Sequence, residues 1–271
     1  MGTKVNFIND NIFNEINSEK TAYWLGFLYA DGYLRKYKYS YEIKLKLAIK
    51  DLQHLYKFKK FLSFSGKVFK TVGNNNNNEL AEIRFYSENI FNNLCKFGCI
   101  PRKSLTIKFP LYLPTCLMNH FIRGYFDGDG CVTQSKDSVR ISFVSGSYEF
   151  INEFQKYLIE NLDLKNNKIY KSDIGNYYTL SWSNKENIID FYNFIYKNST
   201  IFLERKRIKF DNIIKNKKTK TIGIVNDNKI VKFWTHINLA SKELKLGNRE
   251  IIKRCKSRSD KLRFIKIPFF R

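Results

Sequence analysis

The sequence of 271 residues is long enough for one large domain or two ordinary ones. Hydrophobic residues make up 43% of it and aromatic residues 16%, which excludes a disordered chain. No apolar run reaches membrane-spanning length, so the composition predicts a soluble, intracellular protein with no membrane partner. Lys and Arg total 48 against 25 Asp and Glu, and the net charge of +23 favours a polyanion such as nucleic acid as the partner.

The cysteines and the distribution of charge give further information on the class of protein. The five cysteines are odd in number and form no CxxC pair, which argues against a disulfide framework or a zinc site and fits a reducing compartment. Residues 201–271 carry 21 basic and 6 acidic side chains, whereas residues 1–200 carry 27 and 19. The basic C-terminal part is therefore predicted to add affinity for a phosphate backbone.

The N-terminal half alternates between helical and strand patterns. Ser18 can cap a helix that runs to Ala30 and stops at Gly32. In the second strand, residues 43, 45 and 47 are apolar and alternate with charged residues, which is typical of a half-buried strand. The predicted elements are a helix at 18–30, strands at 33–39 and 41–47, a helix at 51–62, strands at 66–72 and 79–86 joined by a loop of asparagines at 74–78, and a helix at 87–97.

The same order of elements recurs farther along the chain. A helix at 119–126 is ended by Gly128 and Gly130, and Gly130 lies 98 residues after Gly32. The elements that follow are strands at 131–136 and 139–144, a helix at 148–160, strands at 168–172 and 177–183, and a helix from 184 or 185 to 198. An internal duplication explains this recurrence. It predicts an α+β fold of two pseudo-symmetric αββαββα halves, each with a four-stranded antiparallel sheet.

The first helices of the two halves share a motif. They read WLGFLYADG (residues 24–32) and IRGYFDGDG (residues 122–130). Each has small residues four positions apart, on one helix face, so two such helices can pack with their backbones close together. Packing them side by side brings Asp31 and Asp129 together at their C-terminal ends.

Two carboxylates at one point repel each other unless a cation lies between them. Divalent ions that prefer oxygen ligands meet this need, and Mg²⁺, for which Mn²⁺ can substitute, suits phosphate chemistry. The three histidines are scattered and offer no competing ligand pattern. The alternative is that each Asp-Gly pair only ends a helix, but its occurrence in both repeats favours a metal site at Asp31 and Asp129.

The paired motifs resemble those of a single-chain LAGLIDADG homing endonuclease, and the repeat pattern that carries this resemblance covers residues 15–210. The resemblance implies a saddle of β-sheets over DNA and a metal-dependent, site-specific double-strand DNA endonuclease. The final Asp of each motif, Asp31 and Asp129, would bind the metal. Ala30 and Gly128, which precede them, are further candidate positions for metal binding. Since both motifs lie in one chain, a monomer is expected.

The resemblance also implies a catalytic lysine late in each repeat. The matching positions are Lys103, in PRKSL, and Lys206, in LERKR, where a lysine would stabilise charge or order the attacking water. The alternative is that both are ordinary phosphate-contacting or surface lysines. Motif one has Tyr29 where motif two has Asp127, and we interpret Asp127 as a capping or hydrogen-bonding residue at the helix interface.

The last fifty residues predict a separate module. Strands at 222–225 and 229–233 form a hairpin, and helices at 237–246 and 248–257 meet at Gly247 as a helix-turn-helix, similar to the DNA-binding repeats attached to many intron-encoded nucleases. A helical pair that completes the main core is the alternative. The predicted domains are residues 1–110 and 111–214 for the two repeats, 215–221 for a basic linker and 222–271 for the module.

The predicted DNA contacts are basic side chains on the strands and on the last helix. They are Arg35, Lys36, Lys38, Lys44, Lys46, Lys67, Lys70, Arg84, Lys136, Arg140, Lys168, Lys171, Arg249, Lys253, Arg254 and Lys256.

Two alternatives to a nuclease stay open at this stage. One is a maturase that binds intron RNA with the same fold. The other is a DNA-binding regulator without catalysis, which would be expected to lack at least one of the two motif carboxylates. The absence of flanking splicing-domain sequence favours a free-standing or intron-encoded protein over one embedded in an intein.

Overall fold

The computed structural model describes residues 6–72, 79–135, 138–216, 221–226, 229–234, 241, 243–254 and 263–267. The chain forms two compact units, residues 1–210 and 211–271. The helices are α1 (Glu19–Asp31), α2 (Leu52–Phe61), α3 (Glu88–Lys96), α4 (Thr115–Asp129), α5 (Tyr148–Leu162), α6 (Lys185–Tyr196), α7 (Glu204–Asn216) and α8 (Asn248–Arg254). None of the helices described has the length and apolar character needed to cross a membrane.

The strands of the first unit form two four-stranded antiparallel sheets. They are β1 (Gly32–Tyr37), β2 (Ser40–Ala48), β3 (Val68–Val72), β4 (Glu79–Tyr86), β5 (Cys131–Gln134), β6 (Val139–Ser145), β7 (Tyr170–Lys171) and β8 (Tyr178–Trp182). Their order is β1-β2-β4-β3 in the first sheet and β5-β6-β8-β7 in the second. This confirms the predicted α+β class with two like halves.

The register of the sheets repeats as well as their order. Arg35 of β1 pairs with Glu42 of β2, and 98 residues later Thr133 of β5 pairs with Arg140 of β6. Since register decides which side chains share a face, the two sheets present equivalent positions to their surroundings. The duplication therefore extends to individual residue positions.

The start of each motif helix has a different local cause. Ser18 accepts a hydrogen bond from the Thr21 backbone N–H, and the Thr21 hydroxyl accepts one from the Ser18 N–H, so α1 begins with a capping box. Helix α4 begins at Thr115, four residues before the predicted start, and its N-cap is Pro114, which makes no side-chain capping bond. The sequence lacks a polar cap there, and this explains the late prediction.

Helices α1 and α4 pack against each other through their glycines. A Cβ atom on Gly26 would lie 2.0 Å from the carbonyl oxygen of Phe121, and one on Gly124 would lie 1.9 Å from that of Tyr23. Only a hydrogen fits at either position, so the two backbones are in direct contact. The predicted small-residue interface is confirmed.

Helix α7 was not predicted from the sequence. It begins with the charged run ERKR, and its lysine at 206 is buried together with Phe210 on the same helix face. A lysine at an inward position interrupts the regular spacing of apolar residues on which a helix prediction depends. The helix continues to Asn216, so the first residues of the predicted linker are helical.

The second unit contains a three-stranded antiparallel sheet and one described helix, α8. Its strands are β9 (Thr221–Asn226), β10 (Lys229–Trp234) and β11 (Arg263–Ile267), in the order β10-β9-β11. The β9–β10 hairpin was predicted, and β11 was not. Helix α8 corresponds to the second helix of the predicted helix-turn-helix. Of the first, residues 237–240 and 242 lie outside the described residues, as does the asparagine loop at 74–78, whereas 241, 243 and 244 are helical. The helix-turn-helix therefore stays a prediction.

Candidate metal and nucleic-acid site

Asp31 and Asp129 are the last residues of α1 and α4, the two helices that pack through their glycines. An edge strand begins immediately after each of them, β1 at Gly32 and β5 at Cys131. A Cβ atom on Gly128 would lie 3.2 Å from a carboxylate oxygen of Asp31, so the end of one motif contacts that of the other. Both aspartates are exposed, and a ligand can reach them from solvent.

The two carboxylates lie in an environment that opposes their ionisation. Loss of hydration from nearby protein atoms, followed by repulsion from Asp129, raises the pKa of Asp31 to about 6. Partial desolvation also raises the pKa of Asp129. Lys206 and Lys103 oppose both changes because their positive charge stabilises the carboxylates. Two carboxylates held this way would gain from a bound cation.

Lys103 and Lys206 converge on the same place from different segments. The Lys103 ammonium donates to the carbonyl oxygen of Gly32, at the end of α1. The Lys206 ammonium donates to three carbonyl oxygens at the end of α4, those of Phe126 (2.8 Å), Gly128 (2.7 Å) and Gly130 (2.6 Å). A cation at a helix C-terminus interacts favourably with the helix dipole. Each lysine therefore stabilises the turn that carries one aspartate.

Arg205 is a further cation of this site that sequence reasoning missed. Its Nε donates to both carboxylate oxygens of the buried Asp51, at 2.8 and 2.9 Å. Its charge is also near enough to Asp31 to lower that residue's pKa. The run LERKR contained the signal, but nothing in the sequence distinguished Arg205 from the lysine that follows it.

The donor set suits Mg²⁺, although no group of three or more His, Cys, Asp or Glu side chains in the described part of the chain could hold a metal. Mg²⁺ in phosphate-cleaving sites is commonly held by one or two carboxylates, together with water and phosphate oxygens of the substrate. Asp31 and Asp129 supply two such carboxylates at a solvent-accessible point. Of the further candidate positions, the Gly128 carbonyl already accepts from Lys206 and retains a second lone pair. Ala30 precedes Asp31 in the last turn of α1.

Asp127 is buried and forms hydrogen bonds at the helix interface, as predicted. It accepts from the hydroxyls of Tyr23 (2.8 Å) and Tyr196 (2.7 Å) and from the backbone N–H of Leu203 (2.7 Å). Its partner positions belong to α1, α6 and the segment before α7. Tyr29, at the equivalent position of motif one, donates instead to the carbonyl of Phe97 (2.5 Å). Both residues tie a motif helix to its surroundings through hydrogen bonds.

The first sheet presents a charged face whose side chains are largely exposed. Ile43, Leu45 and Ile83 are buried on one face, and the residues between them point to the other. Register pairs Lys44 with Tyr33 on β1 and with Arg84 on β4, so these three share the open face. The predicted contacts on this face are Arg35, Lys44, Lys46 and Arg84, accompanied by the exposed aromatic residues Tyr33, Tyr37, Phe69 and Tyr86.

Some predicted contacts lie elsewhere. Lys36 follows Arg35 in the strand and so points to the opposite, helix-covered face, where its ammonium lies 4.9 Å from the centre of the Tyr41 ring. Lys70 pairs with the buried Ala81 and lies on the same helix-covered face. Lys171 occupies the equivalent inner face of the second sheet, opposite Tyr178.

The remaining predicted contacts are distributed as follows. In the first unit, Lys38 is in the β1–β2 turn, Lys67 is exposed just before β3, and Arg140 is on the open face of the second sheet. Lys168 is exposed, and its ammonium lies 5.3 Å from the centre of the Tyr170 ring. On α8, Arg249 and Lys253 are exposed and Arg254 forms an ion pair with Glu250, whereas Lys136 and Lys256 lie outside the described residues.

Comparison with known proteins gives a family match for the second half. Residues 117–196 match the model described as a LAGLIDADG-like domain. This segment includes most of α4 with Asp129, the second sheet and the helices that cover it.

The fold of the chain is that of LAGLIDADG meganucleases. A mutant of I-SmaMI is 16% identical with a TM-score of 0.51, over 72% of this chain and 92% of that one. The LAGLIDADG meganuclease I-AabMI, bound to uncleaved DNA, is 12% identical with a TM-score of 0.50, over 86% and 95%. At these identities the likeness establishes a shared fold.

One curated protein is more similar in sequence. The DNA-directed RNA polymerase subunit Rpo1C of Methanocaldococcus jannaschii is 30% identical over an alignment of 165 residues. The alignment covers 54% of this chain and 18% of that protein. The chain thus spans less than a fifth of the length of this relative.

Proposed function

We propose that the chain is a sequence-specific, divalent-metal-dependent endonuclease that cuts both strands of a long DNA site. The observation that carries this proposal is the meeting of Asp31 and Asp129 at the ends of two helices in direct backbone contact. Neither carboxylate forms an ion pair with another described residue, so both would gain from a cation bound at this point. The LAGLIDADG-like domain and the meganuclease fold support the same conclusion.

Asp31 and Asp129 would hold Mg²⁺ or Mn²⁺, with the backbone at Ala30 and Gly128 nearby. Once bound, such an ion neutralises negative charge that develops on the phosphate under attack. The chain's own residues hold the carboxylates in place: the glycine contacts fix the helices, and Lys206 fixes the turn after α4. Lys103, Lys206 and Arg205 add positive charge where a phosphate would lie.

The open faces of the sheets would bind the duplex. Their basic side chains contact phosphates and base edges, and the register repeat gives each half of the DNA site an equivalent surface. Because one chain contains both halves, we propose that it acts as a monomer. The basic residues 211–271 would extend the contact along the phosphate backbone, in the manner predicted for a helix-turn-helix module.

A cleavage assay on a randomised duplex library tests this proposal. The protein is incubated with Mg²⁺, with Mn²⁺ or with EDTA, and the cut ends are sequenced. We expect metal-dependent cuts at one long motif, and their loss in both Asp31→Asn and Asp129→Asn. Asp173→Asn, which alters an exposed carboxylate in the β7–β8 turn, is the matched control and should cut like the wild type.

Two outcomes would contradict the nuclease. Binding to DNA with no cutting in either metal would favour the catalytically inactive regulator. Preferential binding to a structured intron RNA, without cutting of DNA, would favour the maturase. The presence of both motif carboxylates argues against the regulator at the outset.

A further inference from the structure

Two glutamates lie within the basic open face of the first sheet. Glu42 is only 3% exposed and Glu82 only 6%, although their strand positions alternate with the core residues and place them on the open face. They are buried because arginines cover them. A desolvated carboxylate on a surface offered to DNA would repel phosphates, so its position there needs another explanation.

Each glutamate is paired with arginine side chains of the same face. Arg35 Nε lies 2.8 Å from one oxygen of Glu42, and Arg84 Nε lies 3.2 Å from the other. Arg84 Nη2 lies 2.7 Å from Glu82. Both arginine side chains remain exposed, Arg35 at 59% and Arg84 at 41%. Each arginine is therefore held by a glutamate on the side that faces the sheet and is open to solvent on the other side.

The donors that these ion pairs leave free decide what the arginines can bind. A guanidinium has five N–H donors in a planar fork. The contact of Glu42 with Arg35 is an ion pair and not a hydrogen bond, so the donors on the two terminal nitrogens of Arg35 stay available. In Arg84 one Nη2 donor is taken by Glu82, and one donor on Nη2 and two on Nη1 remain. Two adjacent donors form the fork that matches O6 and N7 of guanine in the major groove.

The second sheet has no such arrangement among its described residues. The position equivalent to Arg35 is Thr133, and the position equivalent to Glu42 is Arg140. Equivalent register places Ser142 and Ser181 where the first sheet has Lys44 and Arg84. The described open face of the second sheet thus carries one arginine, Arg140, and hydroxyl groups where the first carries arginine–glutamate pairs.

We propose that Glu42 and Glu82 are specificity-determining residues that orient Arg35 and Arg84 to read guanines in one half of the target. This inference rests on the proposed function and deepens it. By pairing with the arginines, the glutamates also lower their attraction to phosphates, which carry no sequence information. The half of the site over the second sheet is read by Arg140 and by hydroxyl groups, without a pair of arginines held by glutamates.

Selection of bound duplexes from a randomised library, with EDTA present to prevent cutting, tests the inference. The proteins compared are the wild type, Glu42→Gln, Glu82→Gln and Arg84→Lys. Glu79→Gln is the matched control, since Glu79 is an exposed glutamate of the same strand, β4, whose side chain points to the other face. We expect guanines at two or more positions of one half-site in the wild type.

The glutamate variants should lose preference for guanine at those positions by roughly tenfold, the worth of a bidentate contact, while binding random duplex at least as tightly. Arg84→Lys keeps the charge but loses the fork, so it should lose the same preference, and folding of each variant is checked by its thermal unfolding. Unchanged guanine preference in folded Glu42→Gln and Glu82→Gln would overturn this inference alone. Failure of the wild type to select any motif would overturn the proposed function with it.

Discussion

Asp31 shows how the charge state of a single side chain links stability to function. In the metal-free protein its pKa is about 6, whereas an aspartate in an unfolded chain has a pKa of about 3.9. As the pH rises from about 4 to about 6, the unfolded chain releases this proton before the folded one does. The free energy of unfolding therefore falls across this window.

Asp31→Asn removes this penalty. We expect the variant to be more stable than the wild type above about pH 6 in EDTA, and the difference to vanish below about pH 4 because the wild-type carboxyl is then neutral in both states. Thermal unfolding at several pH values measures this. Asp129→Asn should change stability in the same direction, since its pKa is also raised. An Asp31→Asn protein that is less stable than the wild type at pH 8 would contradict the assignment.

Single residues also mark the limit of sequence reasoning about the site. Asp31 and Asp129 could be predicted because each ends a motif that occurs twice. Glu42 could not be assigned a role, because that role depends on Arg84, which is distant in sequence and adjacent only through the β2–β4 register. Alternation predicted the face on which Glu42 lies, but it could not predict which partners share that face.

At the scale of elements, the contact between α1 and α4 is the feature on which the site depends most. Gly124→Ala would place a methyl group 1.9 Å from the Tyr23 carbonyl oxygen, a backbone atom that cannot move without moving α1. We expect a loss of about 3 kcal/mol in the free energy of unfolding, at the upper end of overpacking penalties. Urea unfolding measures the loss.

Gly175→Ala is the control for this substitution. Its added Cβ would approach only the ring of Tyr177, at 2.9 and 3.0 Å, and a side chain in a turn can shift. We expect a change of less than about 1 kcal/mol. Equal stability of Gly124→Ala and the wild type would show that the helices are separated by more than direct backbone contact.

Elements differed in how far their sequence determined them. The strand at 41–47 was predicted because its apolar residues alternate with charged ones, and Ile43 and Leu45 are indeed fully buried. Helix α7 was missed because Lys206, which belongs inside, reads as a surface residue. What makes that lysine an inward residue is the group of carbonyl oxygens at the end of α4, and a tertiary partner of this kind leaves no local signal.

At the scale of the whole molecule, charge should govern binding to DNA of any sequence. Residues 221–271 carry 13 basic and 4 acidic side chains. A chain ending at residue 220 should bind random duplex more weakly, with a smaller slope of log affinity against log salt, since each lost phosphate contact lowers that slope by about 0.9. Fluorescence anisotropy over a series of salt concentrations measures it.

The truncated chain should still cut at the same motif, because Asp31, Asp129 and both four-stranded sheets lie within residues 1–210. A salt slope equal to that of the full chain would show that residues 221–271 do not contact DNA. Altered sequence preference of the truncated chain would instead show that these residues read bases.

The hydrogen bonds of Asp127 have a consequence for the relation between the two halves of the chain. The two halves share one fold and one register, so two copies of the second half could be imagined in place of the whole first unit. Asp127 takes one of its bonds from Tyr23, whose counterpart in the other half is Phe121, 98 residues on. Two copies of the second half would therefore bury this carboxylate with one donor fewer. The two halves are therefore complementary and not interchangeable, since the second depends on the first for one of the donors to its buried carboxylate.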